Sequence, residues 1–93
     1  VAFVIRVAGF ASGASCPVAG MYLRAFDFEH NLGRGLGTFT PDITRAKRFS
    51  DLSTACEFWR TQSKQFPLRR DGEPNRPFMS SNITFEETQE TRH

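Results

Sequence analysis

One stretch of this chain carries a complete helical stripe, and most of what surrounds it reads as strand or loop. In "DLSTACEFWRTQSK" the residues Leu52, Ala55, Cys56 and Trp59 fall at i, i+3, i+4 and i+7. That spacing puts all of them on one face of an α-helix. Phe58 flanks the stripe, while Glu57, Arg60, Thr61 and Lys64 make the wet side. Ser50 or Asp51 is placed to cap the start, and Pro67 ends the helical region. The pattern predicts a helix over 51–64. An amphipathic helix must bury its stripe against another layer, so the rest of the chain has to supply one.

That layer is a sheet. Residues 2–8, "AFVIRVA", alternate: Phe3, Ile5 and Val7 point one way, Val4 and Arg6 the other. In "MYLRAFDF" (21–28), Tyr22, Arg24, Phe26 and Phe28 share one face and Met21, Leu23 and Ala25 the other, as in a central strand. "FMSSNITFEE" alternates again, with Met79, Ser81, Ile83 and Phe85 inward and Ser80, Asn82, Thr84 and Glu86 solvated. Between them, 11–20 is a small-residue loop. "TPDITRAKRF" predicts a short helix with Thr40 as its cap, Pro41 at its first position and Asp42 at its positive end. A further short strand fits near 36–39 or 47–49. The expected fold is α+β, in the order β-β-short α-α-β. An antiparallel sheet of three to four strands carries the main helix on one face, over a core of Phe3, Ile5, Val7, Leu52, Ala55 and Trp59. Ninety-three residues suit a single compact domain, taken as 1–86, with 87–93 a frayed tail. Ten phenylalanines against one tyrosine make ring burial the natural source of its stability.

Several function classes lose ground on the same reading. Twelve Lys/Arg against ten Asp/Glu leave a net charge of +2, too small to imply nucleic acid by itself. No apolar run approaches membrane-spanning length. The start, "VAFVIRVAGFASGASC", is not read as a leader, because Arg6 interrupts it and no basic segment precedes it. A cytoplasmic protein with no membrane association is expected. Cys16 and Cys56 lack a C-x-x-C spacing and a nearby histidine pair, so neither metal nor cofactor is expected, and Cys56 suits a buried thiol. Gly33, Gly35 and Gly37 give G-x-G-x-G, not the G-x-G-x-x-G of a dinucleotide loop, and a mobile loop or hairpin is the plainer reading. A pair such as Asp27 and His30 could in principle activate Cys16 across two loops, but no spacing requires it. No catalytic residue is assigned.

The most unusual decapeptide is "RRDGEPNRPF" (69–78). Asp71-Gly72 supplies a turn, Pro74 and Pro77 stiffen the segment, and Phe78 can tuck under the sheet as the last strand begins. Turn chemistry does not explain Arg69, Arg70 and Arg76. With Arg45 and Arg48 of "RAKR" and Arg34 of the glycine loop, they are the candidates for partner contact, since exposed arginine is a common interface anchor. Pro74-Asn75-Arg76-Pro77 also satisfies P-x-x-P, a weak pattern in a turn-rich loop.

"TPDITRAKRFSDLSTACEFWR" (40–60) and "PLRRDGEPNRPF" (67–78), followed by a closing strand, resemble small proteins encoded in alphaproteobacterial genomes and their phages. That group has a D-G-x-P-N-R-P loop, and Arg70 stands where it has proline. The group carries no assigned activity, so no functional residue is transferred. The resemblance implies phage or mobile-element ancestry and an accessory or host-interaction role. The leading expectation is a non-enzymatic module acting through protein–protein contact, with an unidentified protein partner and an open oligomeric state. Two alternatives stand beside it: an inhibitor of host nucleic-acid machinery of the anti-CRISPR kind, and a weak nucleic-acid binder using its arginine clusters.

Overall fold

The computed structural model describes residues 2–88. Four strands form one antiparallel sheet in the order β3-β2-β1-β4: β1 (Ala2–Phe10), β2 (Tyr22–Asp27), β3 (Leu36–Thr40) and β4 (Ser81–Thr88). A single turn, α1 (His30–Gly33), joins β2 to β3, and the main helix α2 (Leu52–Trp59) lies between β3 and β4. The α+β architecture read from the sequence is the one observed.

The β1–β4 ladder is long, running from Ala2↔Thr88 to Phe10↔Ser81 with an irregularity between Val7 and Gly9. Strand β4 therefore takes Glu87 and Thr88, which the sequence reading assigned to the tail; 89–93 lie outside the described residues. On its other side β1 pairs with β2 at Arg6↔Tyr22 and with Phe49, whose amide and carbonyl both bond Phe3 at 2.9 Å. Of the two places suggested for a further strand, 36–39 is β3 and 47–49 contributes this bridge.

Strand β2 departs from simple alternation. Leu23 pairs with Phe39 and Ala25 with Thr38, so Arg24 is an extra residue in the ladder. One added residue swaps the faces of the strand residues after it. Leu23 and Phe26, expected on opposite faces, consequently both pack into the core.

That core is Ile5, Leu23, Phe49, Ala55 and Phe78, with Phe3, Phe26, Phe28, Phe39, Phe58, Trp59, Ile83 and Phe85 packed around it. Phe78 is its aromatic centre, stacked on Phe26 at 4.7 Å and edge-on to Phe58 at 6.4 Å. Of the residues expected inside, Ile5, Val7 and Ala55 are buried, while Phe3 and Trp59 are half-buried against the cluster. Cys56, expected to be a buried thiol, is also only half-buried. Leu52 is 48% exposed and is not a core residue. It is the first residue of α2, while Phe49, three positions earlier and bridged to Phe3 of β1, is the residue buried in the core. Val4, read on the face opposite Phe3, Ile5 and Val7, is fully buried and pairs with Glu86. Above that face Arg6 pairs with Glu86 at 3.3 Å and lies over the Tyr22 ring.

Local capping follows the sequence with shifts of a residue or two. Asp51 caps α2 by accepting the Thr54 N–H at 2.7 Å. The predicted short helix is one 3-10 turn, Ile43–Arg45, capped by Asp42 rather than Thr40. Thr40 ends β3 and its hydroxyl accepts the Asp42 N–H at 3.1 Å. A second 3-10 turn, Pro77–Ser80, takes the residues expected to begin the last strand, Met79 among them.

Candidate functional site

The helix predicted to reach residue 64 stops at Trp59, and Ser63 beyond it is bonded to a side chain 34 residues away in sequence. Glu29 accepts the Ser63 hydroxyl at 2.6 Å and the N–H groups of Lys64 and Gln65 at 2.9 and 2.8 Å. These bonds, the Ser63 hydroxyl first, hold the Glu29 carboxyl below its ordinary pKa, since each favours the charged form. Buried Ser63 also donates its N–H to the Asn75 carbonyl at 2.9 Å and accepts the Phe66 N–H at 3.1 Å. The loop after α2 is thus fastened to the segment before α1.

Asn75 makes the second fastening. Its amide nitrogen donates to the carbonyls of Gly33 and Phe66 at 2.8 and 2.9 Å. Gly33 must come close for this, at φ +84°, and the chain reaches it through Asn31 and Leu32, which are themselves left-handed at φ 51° and 59°. A left-handed leucine is a conformation that bulky side chains adopt rarely. Leu32 is held in it while 75% exposed. The glycine loop is closely packed: Gly33 lies against Phe66 and Asn75, and Gly35 against Phe26 and Pro77.

The 67–78 segment folds on itself. Leu68 bridges Pro74, and the Arg69 N–H donates to the Glu73 carbonyl at 2.8 Å. Gly72 returns its N–H to the Arg69 carbonyl at 3.0 Å in the left-handed conformation expected of it. Asp71 accepts the Glu73 N–H at 3.0 Å and the Arg69 guanidinium at 2.8 Å. Pro77 opens the second 3-10 turn and is buried, delivering Phe78 to the core. Asp71 and Gly72 thus lie inside this turn, Pro74 at the bridge that closes it, and Pro77 in the next turn along the chain.

Between these two fastened loops lies a cleft of about 650 Å³, lined by Arg34, Arg69, Arg76 and Glu73, with Pro74, Pro77 and Met79 among its apolar walls. Three of the sequence candidates thus meet in one place, Arg34 from the glycine loop and Arg69 and Arg76 from the decapeptide. Arg69 is committed to Asp71 at 2.8 Å. Arg34 and Arg76 are exposed and form no ion pair with any described residue. Arg70 sits exposed on the turn and does not line the cleft.

The "RAKR" residues lie elsewhere. Arg45 faces Asp42 at 3.8 Å, Lys47 stands over the rings of Phe49 and Phe58 at 5.5 and 5.3 Å, and Arg48 borders a shallower groove beside them. Asp27 uses its carboxylate to accept the Glu29 N–H at 3.0 Å, a bond within a local turn. Cys16 and Cys56 are both free thiols. Among the described residues no group of His, Cys, Asp and Glu gathers as a metal site, and no helix is long and apolar enough to cross a membrane.

Glu29, Ser63 and Asn75 escaped sequence reasoning. Glu29 sits in an acidic, aromatic run with no spacing that points to residue 63. Asn75 carried one usable sign, a polar amide held between Pro74 and Pro77. The chain matches no protein-family model, and comparisons with curated proteins and with solved structures find no match.

Proposed function

We propose that this protein is a small non-enzymatic binding module that engages a partner protein through the Arg34–Arg69–Arg76 cleft. The observation that carries this reading is the convergence of arginines from two distant segments on one concavity whose walls are fixed by Glu29 and Asn75. A frame already folded limits the ordering cost of binding to the side chains themselves, and arginines are frequent interface anchors. The decapeptide that resembles phage-encoded proteins is the one that builds half the cleft, which suits an accessory protein that occludes a partner's surface. An anti-CRISPR-like inhibitor would be one such protein.

The test compares the wild type with Arg34→Ala/Arg76→Ala as bait in extracts of the source cells, with and without nuclease. A protein captured by the wild type, resistant to nuclease and lost from the variant is the expected result. Capture that ignores the double substitution removes the cleft from the partner face. Capture that disappears with nuclease moves the protein to the nucleic-acid class.

A further inference from the structure

We infer that the cleft receives an acidic peptide segment of its partner, a Glu or Asp side chain flanked by aliphatic residues. The inference rests on the cleft being the partner face and adds what that face recognises. Two guanidiniums without a carboxylate among the described residues, Arg34 and Arg76, stand on its lining. A guanidinium offers a planar fork of donors that matches a carboxylate's two oxygens. Arg69 adds charge but is tied to Asp71, and Glu73 offsets part of it, so the lining carries a local surplus of positive charge rather than a strong field.

The remaining surface decides between anionic partners. A nucleic acid strand needs a continuous basic track and aromatic faces on which its bases stack. The lining has no aromatic side chain, although the chain holds ten phenylalanines, and it includes the Glu73 carboxylate, which repels a run of phosphates. A free inorganic anion would leave most of a 650 Å³ cleft unfilled. What lies beside the arginines is Pro74, Pro77, Met79 and Ala11. Proline rings and a thioether chain suit aliphatic side chains, and methionine adapts to their shape. A carboxylate with an aliphatic neighbour uses both kinds of wall.

The test is an amide-shift titration of the isotope-labelled full chain with four probes: an end-blocked Leu-Glu-Glu-Leu peptide, its Leu-Gln-Gln-Leu counterpart, inorganic phosphate and oligothymidylate. The acidic peptide is expected to move the signals of Arg34, Asn75, Arg76 and Met79. The amide counterpart should bind weaker by about tenfold or more, because a desolvated charge pair commonly contributes more than one factor of ten. Arg34→Ala/Arg76→Ala should lose those shifts while the signals of Ile5, Leu23 and Ala55 stay in place. Equal binding of the two peptides, no response at the cleft, or tighter response to oligothymidylate or to phosphate overturns the inference. If cleft-dependent protein capture persists alongside such a result, the partner-binding reading stands and the acidic-peptide inference alone is lost.

Discussion

At Gly33 a methyl group would stand 2.6 Å from Phe66 Cβ and 2.7 Å from Asn75 Nδ2, on a backbone at φ +84°. Gly72 has the same φ, yet a methyl there would meet nothing within 4 Å. The two glycines therefore separate conformational strain from close packing. Gly72→Ala carries the left-handed penalty alone, about 1–2 kcal/mol. Gly33→Ala carries that penalty and an overpacking cost of about 1–3 kcal/mol besides, because Phe66 and Asn75 must move. Urea denaturation of the two variants should give the larger loss at Gly33, and equal losses would mean that the Gly33–Asn75 approach does not exist in solution. Only one of these roles could be read beforehand. Asp71-Gly72 announces a turn through its own chemistry, whereas Gly33 answers to residues 66 and 75, whose proximity no local pattern encodes.

Helix α2 shows the same division on the scale of an element. Its start was legible, since Asp51 ahead of the stripe is a local cap and accepts the Thr54 N–H. Its end was not, because Ser63 and Lys64, read as its last turn, are bonded instead to Glu29, and a side chain that far away leaves no periodic trace. Glu29, Asp42 and Asp51 all have carboxyl pKa values lowered by the hydrogen bonds they accept: from the Ser63 hydroxyl first for Glu29, the Thr44 hydroxyl first for Asp42, and the Thr54 N–H first for Asp51. A folded pKa below the unfolded one means stability that is fully present above the ordinary carboxylate pKa of about 4 and lost as pH falls through the lowered folded values. The protein should weaken below about pH 4. In Glu29→Gln the amide oxygen is a poorer acceptor, so the Lys64 and Gln65 amides should exchange with solvent faster than in the wild type at neutral pH. The stability gap between the two proteins should close as pH drops toward the acid limit. A gap that stays constant from neutral to acid pH would show that the Glu29 charge does not hold the loop.

Over the whole molecule, the cleft and the core are two ends of one short segment. Pro77 lines the cleft and packs against Gly35, and the next residue, Phe78, is fully buried between Phe26 and Phe58. The apolar alternation and the Phe-rich composition announced an aromatic core under a helix. The helical stripe nominated Leu52 for that core, where the structure uses Phe49 and Phe78 from irregular segments. Periodicity ranks positions within an element and is blind to a ring delivered by a loop. The consequence is measurable as a reversal of the ranking that the stripe implies. Phe78→Ala should cost about 3–5 kcal/mol, the range for emptying a buried aromatic site. That is a large share of the roughly 5–15 kcal/mol that holds a small domain folded. Leu52→Ala removes a side chain already 48% exposed and should cost about 1 kcal/mol or less. If Phe78→Ala leaves too little folded protein to measure, Phe78→Leu keeps most of the volume and should still lose more stability than Leu52→Ala, because it gives up the stacking on Phe26. A larger loss at Leu52 than at Phe78→Leu would place the helix stripe, and not the loop-borne ring, at the centre of the core. The cleft would then have no rigid floor to stand on.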